Sequence, residues 1–137
     1  MAAIPENVMN LFNNPQSIKV LATKSPDNKI HTVQLGSLRA PNPNMVICAA
    51  IIFKRSGENL ESMKERNEEP TVFVTDGMQS YEIRVRIKEF QTSGTIVDQM
   101  NESLKKAVGM TSRGVWVFEP VEVHNETPGP DAGKKIS

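Results

Sequence analysis

The 137-residue chain is predicted to be mostly β, an antiparallel barrel of about six strands with short helices at its periphery. Three observations support this fold class. Several strands arrive through turn-rich hairpins, few helical segments are available as crossovers between parallel strands, and one central apolar run is typical of a buried strand. No internal repeat or linker divides the chain, so we expect a single domain over residues 1–137.

The first third of the chain predicts a short helix followed by a hairpin. A helix over residues 5–14 is indicated by apolar residues on one face and by Pro5, which suits the first helical position. Strands over residues 17–23 and 30–38 flank a loop whose proline, aspartate and asparagine favour a turn. Gly36 within the second strand marks either a bulge or the close approach of a ligand. Residues 40–44 are expected to form a loop.

The central stretch, residues 45–60, begins with eight apolar or small residues and continues into a cationic turn. An uninterrupted apolar run of this length is either a fully buried strand or a piece of buried helix, and its β-branched residues favour the strand. Cys48 lies within the run and is expected to be a small core hydrophobe. Ser56 is expected to be the N-cap of a helix over residues 57–66.

The junction after this strand has the chemistry of an anion site. Lys54, Arg55 and Ser56 supply an ammonium, a guanidinium and a hydroxyl beside the unpaired N–H groups of a helix N-terminus. Phosphate is well matched by such a set of donors. The alternative is that Lys54 and Arg55 are ordinary solvated charges in a connecting loop.

The second half predicts strands over residues 71–75, 81–90 and 114–119, with a helix over residues 96–107 between the last two. Residues 81–90 show the clearest alternation of apolar and polar positions, and the basic residues among them are expected to be solvated. Residues 124–137 are polar and turn-rich, and we expect an extended segment that is disordered when free.

Composition excludes several classes of function. Lys plus Arg equals Asp plus Glu at 16 each, so nothing predicts a nucleic-acid or membrane-surface partner. No apolar run approaches the roughly 20 residues that span a bilayer, and no signal-like segment opens the chain, so a cytoplasmic address is expected. The two histidines lack metal-site spacing, and no catalytic motif is present. Any redox activity would therefore come from a bound cofactor.

The order of these elements resembles the flavin-mononucleotide-binding split-barrel proteins that are similar to pyridoxamine 5′-phosphate oxidase. The resemblance lies in the opening helix, the hairpin VLATKSPDNKIHTVQLGSL, the buried strand running into FKRSGENL, and the strand TVFVT. The segment TPGPDAGKKI is also similar to the carboxyl ends of small prokaryotic members. The resemblance implies a six-stranded split barrel that forms a homodimer, with FMN bound at each end of the interface.

The resemblance also implies which residues hold the cofactor. The phosphate is expected at Lys54, Arg55 and Ser56, with Asn59 supporting the turn. The isoalloxazine ring is expected along the hairpin strand and the end of the central strand, at Val33, Gln34, Leu35, Gly36, Ile51, Ile52 and Phe53. Trp116 either contributes to the site of a partner subunit or belongs to the interface core.

The function implied by the resemblance is that of an FMN-dependent oxidoreductase or electron-transfer module. Two alternatives stay open: the same fold binding haem or a deazaflavin coenzyme, and a non-catalytic barrel that binds a phosphorylated small molecule or a protein partner. The basic segments with which pyridoxamine 5′-phosphate oxidase holds its substrate have no match in this chain. No substrate is therefore assigned.

Overall fold

The computed structural model describes residues 2–51 and 54–137 of the chain. Within these ranges it contains three helices and seven strands. The helices are α1 (Glu6–Phe12), α2 (Lys54–Glu65) and α3 (Thr95–Val108); the strands are β1 (Ile18–Lys24), β2 (Ile30–Gln34), β3 (Arg39–Asn42), β4 (Met45–Ala49), β5 (Thr71–Asp76), β6 (Gln79–Gln91) and β7 (Val115–Asn125). They form one sheet in the order β2-β1-β5-β6-β7-β4-β3, and every pairing in it is antiparallel. No described helix is long and apolar enough to cross a membrane.

The strand count is seven instead of the predicted six because β3 is a strand and not a loop. It pairs with β4 at the edge of the sheet. Its sequence contains Pro41, which lacks a backbone donor and therefore argues against a strand; an edge strand tolerates proline because one side of it has no ladder to complete. The predicted strand over residues 30–38 accordingly ends at Gln34, and the chain turns before β3 begins.

The last strand continues to Asn125, beyond its predicted end at residue 119. Pro120 lies opposite Val85, next to a shift in the β6–β7 register. The N–H of Val85 donates instead to the carbonyl oxygen of Pro70, at 3.0 Å. The missing donor of Pro120 thus falls where the ladder is already irregular, and the strand passes through it.

The central strand β4 is buried on both faces, which confirms the prediction from its apolar run. Val46 and Cys48 belong to the main core inside the sheet, while Ile47 and Ala49 belong to a second cluster with the apolar side chains of α3. Successive side chains of a strand point to opposite faces, so both faces here require apolar residues. Burial of Cys48 raises the pKa of its thiol, as expected for a core residue.

Residues 126–137 fold back along the end of β7, so the segment is docked there, and its disorder when free stays a prediction. The backbone N–H of Asn125 donates to Lys134 O at 2.9 Å, and that of Ile136 donates to Val123 O at 2.8 Å. A bridge also joins His124 to Lys135. The segment is ordered because it satisfies backbone groups at the end of β7 that would otherwise need water.

Lys19 of β1 is a buried cation that contacts the end of α1. Its side chain is only 5% exposed, and its ammonium donates to the carbonyl oxygen of Phe12 at 3.2 Å. Phe12 is the last residue of α1, where a helix presents unpaired carbonyl groups to a cation. Burial, together with the nearby charge of Arg39, lowers the pKa of Lys19.

This lowered pKa predicts a pH-dependent stability. Because the pKa of Lys19 in the folded chain lies below the ordinary value of 10.5, the folded chain binds fewer protons than the unfolded chain between the two values. The wild type should therefore gain stability relative to Lys19→Met as pH rises through that interval. Urea unfolding of both proteins at neutral and alkaline pH tests this. The exposed Lys64→Met is the control, and an equal pH response of Lys19→Met and wild type would contradict the prediction.

Gly114 is required by packing between the start of β7 and the end of β6. A Cβ at this position would lie 2.5 Å from Phe90 Cζ and 2.6 Å from the backbone oxygen of Gln91. Gly114→Ala is expected to cost about 1–3 kcal/mol of unfolding free energy, the usual range for overpacking a closed site. Gly36→Ala is the matched control, because a Cβ there meets nothing within 4 Å. Equal stabilities of the two variants in urea titrations would show that the Phe90 contact yields without cost.

Candidate functional site

Three clefts surround the junction between β4 and the first turn of α2. The helix begins at Lys54, so Ser56 lies inside its first turn, and the predicted N-cap position is wrong. Successive helical residues are rotated by about 100°, and the side chains of Lys54 and Arg55 consequently line different clefts. The predicted site residues Ile52 and Phe53 lie outside the described residues.

The first cleft, here called the hairpin cleft, lies between the β1–β2 turn and α2 and has a volume of about 310 Å³. It combines three basic side chains with two carboxylates. Its lining residues are Ser25, Pro26, Asp27, Lys29, His31, Arg55, Glu58 and Asn59. The predicted anion-binding residue Arg55 is exposed here and has no carboxylate within 4.0 Å among the described residues. Its guanidinium is therefore available to a ligand.

The turn of the hairpin is held by its own side chains. The Ser25 hydroxyl donates to Asp27 Oδ1, and this hydrogen bond lowers the pKa of the Asp27 carboxyl. The ammonium of Lys29 lies 3.7 Å from the other oxygen of Asp27. Asp27 therefore partly neutralises Lys29, whereas Arg55 forms no such ion pair with another described residue.

The second cleft, the α3 cleft, has a volume of about 280 Å³ and lies beside the end of β2. It is mainly apolar, with one guanidinium. Its lining residues are Gln34, Leu35, Gly36, Ser37, Arg39, Ala49, Ile51, Leu104, Ala107 and Val108. Four of the residues predicted to contact the flavin ring are brought together here, Gln34, Leu35, Gly36 and Ile51. The fifth described one, Val33, is half-buried and packs against the main core.

The wall formed by residues 35–38 is fixed to its neighbours by hydrogen bonds. The N–H of Leu35 donates to Lys19 O at 2.9 Å, and the N–H of Ala49 donates to Ser37 Oγ at 3.0 Å. Gly36 is exposed at the tip of this turn, and open space surrounds the position of its missing Cβ. Of the two interpretations of Gly36, the structure excludes a bulge inside a strand, because β2 has ended by then.

The third cleft, the Trp116 cleft, has a volume of about 650 Å³ and lies on the other side of Ile51 and α2. It has an aromatic wall and charges of both signs. Its lining residues are Ala50, Ile51, Lys54, Gly57, Glu58, Glu61, Phe90, Thr111, Arg113 and Trp116. Trp116 is only 4% exposed and packs in the main core, with its ring centroid 4.9 Å from that of Phe90. It lines the same cleft as Lys54 of its own chain, and a contribution to a partner subunit stays a prediction.

Two predicted site residues are buried beside the clefts. Asn59 is 7% exposed and donates from Nδ2 to Thr23 Oγ1 at 3.1 Å, a hydrogen bond that joins α2 to β1. Ser56 is 3% exposed and lines none of the three clefts. Its role as a direct phosphate ligand stays a prediction, and its burial favours a packing role.

Several cleft residues were not among the predicted site residues: Lys29, His31, Glu58, Glu61, Phe90, Thr111 and Arg113. His31 had a usable signal, because it alternates with Val33 and Leu35 on the half-buried face of the hairpin strand. Arg113 had none. It reaches its cleft because its N–H donates to Ala50 O at 2.9 Å, which joins the loop after α3 to the end of β4.

The buried hydrogen bond between Asn59 and Thr23 predicts the cost of losing it. Asn59→Ala leaves the Thr23 hydroxyl buried without this partner and should lower the unfolding free energy by about 1–3 kcal/mol. Asn10→Ala on the exposed face of α1 is the matched control, with an expected change within about 0.5 kcal/mol. Urea titrations measure both. A change in Asn59→Ala no larger than in the control would mean that the bond does not anchor α2.

No protein-family model and no curated protein sequence matches the chain. Its fold does match solved structures. HupZ from Group A Streptococcus has a TM-score of 0.78 at 17% sequence identity, covering 95% of this chain and 99% of that chain. An FMN-binding protein from Syntrophomonas wolfei has a TM-score of 0.73 at 17% identity, over 88% of this chain and 84% of that chain.

Two further matches carry cofactor or substrate names. A candidate pyridoxamine 5′-phosphate oxidase from Lactobacillus delbrueckii has a TM-score of 0.68 at 18% identity, over 88% of this chain and 93% of that chain. An F420 reductase has a TM-score of 0.67 at 15% identity, over 88% of this chain and 98% of that chain. The chain therefore has the split-barrel fold that these pyridoxamine 5′-phosphate oxidase-like structures share, as the resemblance in its sequence implies.

Proposed function

We propose that the chain is a flavin-binding redox protein that holds FMN along β2, with the phosphate in the hairpin cleft and the ring in the α3 cleft. One observation carries the proposal: the two clefts lie at opposite ends of β2, and side chains of the same half-buried face line both, His31 the first and Leu35, directly after the strand, the second. Four residues of extended chain span about 13 Å. This separation suits the ribityl chain that joins the phosphate of FMN to its ring.

The donors of the hairpin cleft fit a phosphate group. Arg55 offers a planar fork of N–H donors, and Lys29 and His31 face it across the cleft. The first turn of α2 adds backbone N–H groups and a partial positive charge. Asp27 and Glu58 also line this cleft, so its net charge is small, and directed hydrogen bonds must supply more of the affinity than the overall field does. Lys54, grouped with Arg55 in the sequence-based site, lines the Trp116 cleft and is not part of this phosphate site.

The α3 cleft fits a flat ring with a polar edge. Leu35, Ile51 and Leu104 offer apolar surface to the face of the ring, while the Gln34 amide and the backbone of residues 35–38 offer hydrogen bonds to its edge. The two clefts have volumes of about 310 and 280 Å³, and together they fall within the roughly 300–1,000 Å³ of small-molecule sites. When bound, a flavin supplies one- or two-electron chemistry, and these residues orient it and limit its contact with water.

A second copy of the chain is part of the proposal. The edge strands β2 and β3 each pair on one side only within the described sheet. Ile30 in β2 and Ile18 in the neighbouring strand β1 are 76% and 49% exposed. A homodimer covering this edge would shield both these side chains and the proposed flavin. A cytoplasmic address also belongs to the proposal, since a reduced, buried Cys48 suits that compartment.

A deazaflavin coenzyme is the second candidate, favoured by the fold match to an F420 reductase. Its ring system has the same overall shape and would meet the same apolar walls of the α3 cleft. The two candidates differ in absorption spectrum, so one titration series separates them. Haem, or a colourless phosphorylated ligand, would give different spectra again.

Arg55→Gln is expected to weaken FMN binding roughly 10- to 150-fold, since a charge-assisted hydrogen bond contributes about 1.5–3 kcal/mol. Lys54→Gln, the adjacent residue with the same charge, is the matched control and should leave the affinity nearly unchanged. Quenching of FMN fluorescence during titration gives the dissociation constants. An absorption spectrum after desalting shows whether flavin is retained, and sedimentation of the same sample gives the oligomeric state.

Each outcome has a distinct meaning. A protein that retains no FMN and does not quench its fluorescence would overturn the flavin proposal. A loss of affinity in Lys54→Gln as large as in Arg55→Gln would move the phosphate to the Trp116 cleft. A monomer at micromolar concentration with FMN bound would remove the second copy from the proposal and leave the flavin site intact.

A further inference from the structure

The Trp116 cleft is the largest of the three and is not used by the proposed flavin site. It shares only Ile51 with the α3 cleft and only Glu58 with the hairpin cleft. Its remaining lining comes from Ala50 after β4, from α2, from the end of β6, and from the loop and strand after α3. A ligand in this cleft would therefore lie beside the flavin site, on the opposite side of the first turn of α2.

One wall of the cleft is a fixed aromatic pair. The rings of Phe90 and Trp116 are 4.9 Å apart and inclined at 46°. Gly114 lets Phe90 approach so closely that no Cβ would fit between them. Gly57 on α2 also lines the cleft and, having no side chain, adds no bulk to it. An aromatic wall in a cleft of this volume suits a planar ring system.

The other distinctive feature is a set of charges that form no ion pair with one another or with the rest of the described residues. The cleft contains two cations, Lys54 and Arg113, and two carboxylates, Glu58 and Glu61. None of the four forms an ion pair within 4.0 Å with another described residue, although ion pairs occur elsewhere, such as Arg84–Glu122 at 2.6 Å. Cations left open beside an aromatic slot match an anionic group on a ligand, and the carboxylates match N–H donors.

The cleft is also held in shape by backbone hydrogen bonds at its base. The N–H of Ala50 donates to Gly114 O and the N–H of Arg113 donates to Ala50 O, each at 2.9 Å. These two bonds pin the loop after α3 against the end of β4. Arg113 and Thr111 are thereby held in the lining of the same cleft as Lys54, with little reorganisation needed when a ligand arrives.

We infer that the Trp116 cleft is a second binding site, specific for a nucleotide: a planar base that bears an amino group, joined to a phosphate. The base stacks on the partly exposed ring of Phe90, which packs on the nearly buried Trp116; its amino group donates to Glu58 or Glu61, and the phosphate accepts from Lys54 and Arg113. Apart from Glu58 and Ile51 at the shared borders, the residues of this second site lie outside the hairpin and α3 clefts. The site can be tested whether or not the flavin proposal holds.

Trp116 is the only tryptophan of the chain, so its fluorescence reports directly on this cleft. Adenosine 5′-monophosphate is the probe, because it carries a planar base, an exocyclic amine and a phosphate. We expect a saturable change in Trp116 emission on titration, and an affinity for adenosine that is at least about tenfold weaker because the phosphate is missing. Isothermal calorimetry gives the stoichiometry, expected to be one probe per chain.

The decisive variant is the double substitution Lys54→Gln with Arg113→Gln, which removes both exposed cations of the cleft. It should weaken binding of the monophosphate at least about tenfold and leave adenosine binding nearly unchanged. Lys105→Gln with Lys106→Gln, two exposed cations of α3 that line none of the three clefts, is the matched control. Urea titrations confirm that each variant is folded. Equal affinities of the two double variants would overturn the assignment of the phosphate.

A calorimetric titration of the monophosphate into FMN-saturated protein separates this inference from the proposed function. Retained affinity supports two separate sites. Competitive displacement by FMN would overturn the inference, because the Trp116 cleft would then belong to the flavin site. No heat and no fluorescence change with the monophosphate would also overturn it. If FMN binding is lost in Arg55→Gln and in no other variant, the proposed function stands whether or not the monophosphate binds.

Discussion

The 13-residue strand β6 is the element on which the rest of the sheet depends. It pairs with β5 along its first half and with β7 along almost its whole length. The strands β1 and β2 join the sheet through β5, whereas β4 and β3 join it through β7. The inward residues of β6, Ile83, Val85 and Ile87, are all buried, so the two halves of the sheet share one core along this strand. Without β6 no ladder would join the two halves of the sheet.

The helix α2 then connects two distant parts of that sheet. It follows β4, near one end of the strand order, and packs on β1, near the other end. Leu60 and Met63 enter the main core, and Asn59 donates to Thr23 of β1. This crossing brings the first turn of α2 next to the β1–β2 hairpin. The hairpin cleft therefore exists only because the sheet curves enough for one short helix to reach from β4 to β1.

The same first turn separates two chemistries that are adjacent in sequence. Lys54 and Arg55 are neighbours, but one lines the Trp116 cleft and the other lines the hairpin cleft. The rotation of about 100° per helical residue is the physical cause. Glu58 stands between the two clefts and lines both. In the proposed binding mode, one ligand lies on each side of this single helical turn, near the backbone N–H groups of the helix N-terminus.

The sequence by itself determined the elements whose signal is local. Periodicity found the alternating strand β6 and the helix α3, and the uninterrupted apolar run of β4 predicted burial on both faces. These predictions depend on residues near one another in the chain or on a pattern that one strand carries alone. The resemblance in the hairpin and central strand also assigned Gln34, Leu35, Gly36 and Ile51 to one site; they line one cleft, and their contact with a flavin ring stays a prediction.

Tertiary structure decided the remainder. Pro41 and Pro120 argue against strands in the sequence, yet both lie in strands. Pro41 is tolerated because its strand is at the edge of the sheet, and Pro120 because it lies beside a register shift. Ser56 suggested a helix that begins at residue 57, but α2 begins at Lys54 and Ser56 lies buried in its first turn. Arg113 lines the same cleft as Lys54 because the loop after α3 pairs with Ala50, and Phe90 lines it because β6 pairs with β7. Long-range pairing of this kind leaves no local trace in sequence, since it is set by which backbone groups the folded sheet leaves to be satisfied.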